Sequence, residues 1–119
     1  MKASAVRLIF LKSKIQRARV TDVKLEYEGS VSIDPKLCDA ARLLPYERVE
    51  IYNCNNGERF STYVIYGKPD EVCINGAAAR LAFPGDMVII ASYADLEEAE
   101  CGAHKPTIVL VDEKNRPRT

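Results

Sequence analysis

Apolar and polar residues alternate with a period of two through much of this chain, the pattern of half-buried strands. Residues 9–15 are apolar and cationic by turns and predict a first strand. In RVTDVKLEY, residues 19–27, Val23, Leu25 and Tyr27 fall on one face, with Asp22, Lys24 and Glu26 on the other. The alternation breaks at Gly29 and Ser30 and resumes at Val31 and Ile33. Asp34 then reads as an N-cap with Pro35 at the first helical position. Leu37, Ala40, Ala41 and Leu44 follow at helical spacing, so 35–43 predicts a short amphipathic helix that Pro45 stops. Strands over 48–53 and 58–66 flank Asn56-Gly57, a pair that supplies the positive φ angles of a tight hairpin. EVCIN (71–75) reads as a short strand, GAAARL (76–81) as a compact or helical turn, and FPGD (83–86) as a turn. The unbroken apolar run MVIIAS (87–92) fits a strand buried on both faces. DLEEAE (95–100) reads as a single helical turn, TIVLVD (107–112) as a last strand and EKNRPRT (113–119) as a frayed tail. Many short strands with Gly and Pro turns, and one or two small helices, predict a mainly β fold, a small β-barrel.

Composition narrows the classes of function. With 119 residues, 47% of them hydrophobic and 29% charged, the chain is expected to form one domain, 1–119, with its own core. A formal net charge of zero gives no overall footprint for nucleic acid or an anionic membrane, although KSKIQRAR (12–19) is a local basic cluster. No stretch approaches a membrane span. The apolar stretch at residues 9–11 reaches back to Val6 only across Arg7, too short for a secretory core, so a cytoplasmic protein is expected. Cys38, Cys54, Cys73 and Cys101 form no C-x-x-C pair, and His104 is the single histidine. That spacing suits no zinc site, and reduced thiols without a metal are expected. Cys54 and Cys73 read as buried packing.

The break at Gly29-Ser30 has two readings. One is a plain turn, with the glycine at positive φ and the serine bonding locally. A Gly-Ser pair alone weighs little, since roughly half of chains this long contain one at average usage. The other reading makes this peptide bond the site of chemistry. The Ser30 hydroxyl attacks the Gly29 carbonyl carbon and turns the amide into an ester, which requires a strained bond or a stabilised product. A glycine without a Cβ suits such a turn, and donors must face the oxyanion on Gly29. Elimination and hydrolysis then free residues 1–29 and leave residue 30 as a pyruvoyl group, a ketone able to serve as an electron sink. NNGERFSTYVI places Arg59, Ser61 and Tyr63 on one strand face and Thr62 on the other. An arginine grips a carboxylate bidentately, a tyrosine moves a proton and a threonine donates to an oxyanion. INGAAAR offers Asn75 and backbone N–H groups with little side-chain obstruction, and Lys14 and Arg17 add positive charge.

In this order, KSKIQRARVTD…YEGSVSID, NNGERFSTYVI, INGAAAR and PGDMVIIASYA resemble the aspartate 1-decarboxylases, pyruvoyl enzymes that make β-alanine for pantothenate. The resemblance runs from about Leu11 to Asp112. It implies a double-psi β-barrel assembled as a homotetramer with active sites between subunits. Ser30 matches the pyruvoyl precursor, which binds the substrate amine as a Schiff base, and Gly29 the residue before the cut. Lys14 and Arg59 match basic residues holding the substrate's carboxylates, and Tyr63 matches the proton donor. Thr62 matches the threonine assisting self-cleavage. Asn75, Gly76 and Ala77 match the pocket segment, and Tyr27 a tyrosine near the cleavage turn. Gln16 stands where many members have a histidine, and the chain carries a few more residues ahead of KSKI than many members do.

The expectation is therefore a lyase made as an inactive precursor, cut at Gly29-Ser30 into 1–29 and 30–119, that decarboxylates L-aspartate to β-alanine and carbon dioxide. A maturation helper protein is a possible further partner. Two alternatives stay open: an uncleaved, non-catalytic double-psi barrel acting as a binding or assembly module, and the same chemistry on another amino acid such as glutamate.

Overall fold

The structure is a computed structural model and describes residues 6–118. Residues 1–5, which contribute to the N-terminal excess, and Thr119 lie outside them. Among the described residues the strands are β1 (Arg7–Arg19), β2 (Asp22–Lys24), β3 (Ser30–Ile33), β4 (Arg48–Asn53), β5 (Arg59–Tyr66), β6 (Val72–Asn75), β7 (Met87–Glu97), β8 (Thr107–Val111) and β9 (Pro117–Arg118). Helix α1 spans Pro35–Ala41, a 3-10 helix spans Gly76–Leu81, and α2 spans Glu98–Cys101. None of these helices is long and apolar enough to cross a membrane.

The strands form one mixed sheet in the order β2-β6-β3-β5-β4-β7-β1-β8-β9. β1/β8, β2/β6 and β3/β5 pair in parallel, and the other neighbours pair antiparallel. β5 joins the two halves, because Arg59–Tyr63 pair with β4 while Val64–Tyr66 pair with β3. Backbone bonds at the end of β1 curl the sheet around: Val20 N–H donates to Asp86 O, Gly85 N–H to Val20 O and Thr21 N–H to Val72 O. Every second residue of the central strands points inward, so Ile15, Val31, Ile33, Val49, Ile51, Val64, Val72, Ile74, Val88 and Ile90 make one buried cluster. α1 adds Leu37, Cys38 and Ala41 to it. The result is the expected small, mainly β barrel, and its interleaved parallel and antiparallel pairs fit the double-psi topology.

Several boundaries move for identifiable reasons. β1 is longer than residues 9–15, and its register shifts between Leu11 and Ser13 and between Ile15 and Ala18, where Arg17 takes φ 63. Those bulges break the alternation that a strand would otherwise print. The strand read over 19–27 stops at Lys24, leaving Leu25 and Tyr27 exposed. Its partner β6 ends opposite, at Asn75, and Gly76 then turns away at φ 78, so residues 25–27 have no ladder to join.

α1 begins as expected, with Lys36 N–H donating to the Asp34 carboxylate at 2.8 Å. It ends two residues early, because Arg42 takes the left-handed conformation and its N–H bonds Cys38 and Asp39 carbonyls. The β4–β5 hairpin closes through 54–58 rather than a two-residue turn. Only Gly57 has positive φ there, while the Asn56 side chain accepts from Glu58 N–H at 2.9 Å. β7 extends through Glu97 and takes half of the segment read as helical. Its far end pairs with β1 alone, Arg7 opposite Glu97 through Leu11 opposite Tyr93, as a two-stranded arm. The molecule measures 53 × 32 × 25 Å.

The tail is not frayed. Asn115 is 1% exposed, its Oδ1 accepts from Arg19 N–H at 2.7 Å and its Nδ2 donates to Arg19 O at 2.9 Å. It thereby replaces a missing strand partner, and Arg116 anchors the segment through Nε and Nη2 on the Asp70 carboxylate, both at 3.1 Å.

Candidate active site

β3 and β6 pair with Ser30 opposite Asn75 and Ser32 opposite Cys73. Their apolar residues Val31, Ile33, Val72 and Ile74 face the core, so the period of two turns all four polar side chains to the other face. All four are nevertheless buried. Asn75 Nδ2 donates to Ser30 Oγ at 3.0 Å and to Ser32 Oγ at 2.9 Å. The Cys73 thiol donates to Asn75 Oδ1 at 3.2 Å. The Ser30 hydroxyl donates to the Glu28 carbonyl at 3.2 Å, which turns it back over Gly29. Burial raises the Cys73 pKa, so it stays a thiol and a donor at neutral pH.

The glycine that this corner requires is Gly76. A Cβ there would lie 2.7 Å from Gly29 Cα, 2.8 Å from Gly29 N and 3.1 Å from Tyr27 O, and its φ is +78. Gly29 itself is not at positive φ, and a Cβ on it would meet nothing within 4 Å. The positive φ and the need for a residue without Cβ, expected at Gly29, therefore belong to its neighbour across the turn. Tyr27 is exposed, with the Lys24 ammonium 5.9 Å from its ring centre. A cavity of about 350 Å³ opens beside the corner, lined by Lys24, Tyr27, Ser32, Tyr66, Glu71 and Asn75 among others. Ala77 is exposed in the first turn of the 3-10 helix.

The other candidates lie further off within one chain. Val31 sits beside Val64, so Ser30 is level with Tyr63 on the next strand, and both side chains leave the face away from the core. The Tyr63 ring is 6.3 Å from that of Tyr46. Thr62 shares the inward face of β5 with Val64 and makes no hydrogen bond to Ser30 or Gly29. Arg59 is four residues before Tyr63, roughly 13 Å along the strand. Its guanidinium stacks 3.9 Å from the centre of the Tyr52 ring. The Tyr52 and Tyr93 hydroxyls share a 2.8 Å hydrogen bond, and burial together with that bond pushes the Tyr52 phenol up.

Lys14 lies opposite Ala91 on β7, and β7, β4 and β5 stand between it and Ser30 on β3. Following partners across the sheet, Lys14, Ala91, Glu50 and Ser61 form one row, which gives Lys14 the outer face also used by Arg59 and Tyr63. Of the two nearby lysines, Lys12 is already engaged, with Glu47 at 2.7 Å and the Arg42 carbonyl at 2.5 Å. No ion pair engages Lys14 among the described residues. Gln16 lies two residues on, opposite Leu110.

Sequence reasoning missed Ser32, Cys73 and the Glu28 carbonyl. The signal for the side chains was present, as polar residues at alternate positions of SVS and CIN within otherwise apolar strands. Cys54 corrects the packing expectation, since it is exposed, whereas Cys73 is buried but hydrogen-bonded.

Fold and corner together define a small β-barrel that holds a buried serine hydroxyl against its own backbone. A sequence model described as aspartate decarboxylase matches residues 6–118. Over 105 residues the chain is 58% identical to an aspartate 1-decarboxylase of Hydrogenobaculum sp., covering 88% of this chain and 84% of the relative. It is 57% identical over 111 residues to the aspartate 1-decarboxylase of Bdellovibrio bacteriovorus, covering 93% and 90% of the two chains. Against that of Syntrophus aciditrophicus it is 58% identical over 110 residues, covering 91% and 95%. The chain belongs to the aspartate decarboxylase family.

Proposed function

We propose that this chain is a cytoplasmic, pyruvoyl-dependent L-aspartate decarboxylase that cuts itself between Gly29 and Ser30. The observation that carries this reading is the buried Ser30 hydroxyl, fixed between Asn75 Nδ2 and the Glu28 carbonyl beside the Gly29 peptide. A pyruvoyl group derived from Ser30 fits this corner, because its source hydroxyl is already held and Gly29 borders open space. The cut leaves residues 1–29 and 30–119 as two pieces of one folded unit. We assign Thr62 to assist the cut from the core side of β5.

The pyruvoyl carbonyl supplies an electron sink for the pair released as the α-carboxylate leaves. Arg59 and Lys14 hold substrate carboxylates, which selects a dicarboxylic amino acid. Tyr63, level with Ser30 on the same outward face, returns a proton to the substrate Cα. Asn75, Gly76, Ala77 and Tyr27 bound the pocket. Three strands separate Lys14 from this corner in its own chain, which supports a homotetramer with sites completed by a second copy.

Intact mass under denaturing conditions, after warm incubation, tests the cut. Two fragments are expected, with 30–119 lighter by about 17 Da than its seryl form, together with carbon dioxide release from aspartate. Ser30→Ala should remain whole and inactive. A wild-type chain that stays at 13.3 kDa even after addition of a cell extract would overturn the reading in favour of the non-catalytic barrel.

A further inference from the structure

We propose that Cys73 is a positioning residue for the self-cleavage step, acting through Asn75. This rests on the reading of Ser30 as the attacking residue. Asn75 has two chemically different ends, and at 1% exposure the groups packed around it set which way they face. The Cys73 thiol donates to Oδ1 at 3.2 Å, which obliges the amide nitrogen to face both Ser30 Oγ and Ser32 Oγ. Ser30's own proton points to the Glu28 carbonyl, so its oxygen is free to accept that N–H.

The orientation matters because of where charge develops. In the cleavage step the Oγ–C bond to Gly29 forms, the C–N bond between residues 29 and 30 breaks, and the hydroxyl proton ends on the freed Ser30 nitrogen. As Oγ gives up its proton it becomes electron-rich, and the Asn75 N–H bond strengthens at that moment. With the amide turned over, Oδ1 would face the same oxygen and oppose it. Ser32 supplies a second acceptor for the correct orientation, opposite Cys73 in the strand ladder. Among the described residues the Cys73 thiol is the one donor to Oδ1, so removing it leaves a buried acceptor unpaired and the amide free to turn.

The test is the cleavage time course of freshly purified, uncut chain for wild type, Cys73→Ser, Cys73→Ala and Cys73→Val, with melting temperature measured in parallel. Serine keeps a donor, alanine removes it, and valine removes it while filling the space. Cleavage is expected near the wild-type rate for Cys73→Ser and slower by about tenfold for both Cys73→Ala and Cys73→Val, the effect of one lost hydrogen bond. A structural role alone would instead order the rates by melting temperature. Equal rates in all four proteins would overturn the proposal, as would a serine variant as slow as alanine and valine. If wild type itself does not cut, the failure belongs to the reading of Ser30.

Discussion

Lys12 and Lys14 show how far one residue's neighbours decide its role. Burial alone would raise the Glu47 carboxyl, but Lys12, the Ser92 hydroxyl and Leu44 N–H outweigh it and hold the group below its ordinary value. A carboxylate so depressed contributes stability above its unfolded pKa, and the contribution is lost as pH falls through the folded pKa. Lys12→Ala should therefore lower stability by about 1–2 kcal/mol at pH 7, and the gap to wild type should close below pH 4.5. Urea midpoints in a Ser30→Ala background, where no cut intervenes, measure this. Gly76 is constrained by geometry instead of charge. Gly76→Ala combines left-handed strain with a backbone clash at Gly29, and should lose about 2–4 kcal/mol in the same assay. It should also retard cleavage when Ser30 is present. Asn75, Gly76 and Ser30 were legible as candidates from their types and order. The reason for Gly76 was not, because a contact between residues 29 and 76 leaves no local pattern.

At the scale of elements, most strands could be read because period-two burial survives wherever a strand has a core-facing side and a partner. RVEIYN is such a case, while MVIIAS was legible as an unbroken apolar run. Reading failed where pairing, not pattern, decides: residues 25–27 alternate well but find no neighbour, while β9 barely alternates and yet is paired with β8. The tail deceived for the same reason, since a single asparagine side chain supplies the bonds of a strand end. Asn115→Ala strands both Arg19 backbone groups and places alanine at φ 64. It should destabilise the protein by about 2–4 kcal/mol, with an unchanged urea m-value. Near-zero loss would mean that the 113–118 segment contributes nothing to closing the barrel.

At the scale of the molecule, the separation of Lys14 from Ser30 makes the proposed assembly testable by mixing. Lys14→Ala and Ser30→Ala chains should each be nearly inactive alone. Co-expressed, they should regain about a quarter of wild-type turnover, the share of sites that random pairing equips with both residues. No recovery would place the two groups in the same chain's site. The arm of β1 and β7 belongs to this scale too, since a two-stranded ribbon is marginal in water by itself. Ile9 on that arm is 76% exposed, and nothing in the local sequence distinguished it from a core strand. The position of β1 has one more effect. It lies between β7 and β8 in the sheet, yet belongs to the piece on the N-terminal side of the proposed cut. The mature protein would thus keep a shape that only the unbroken chain could reach unaided. Once unfolded, its two peptides would have to find each other again by diffusion, so the proposed maturation would act as a one-way latch on the fold itself.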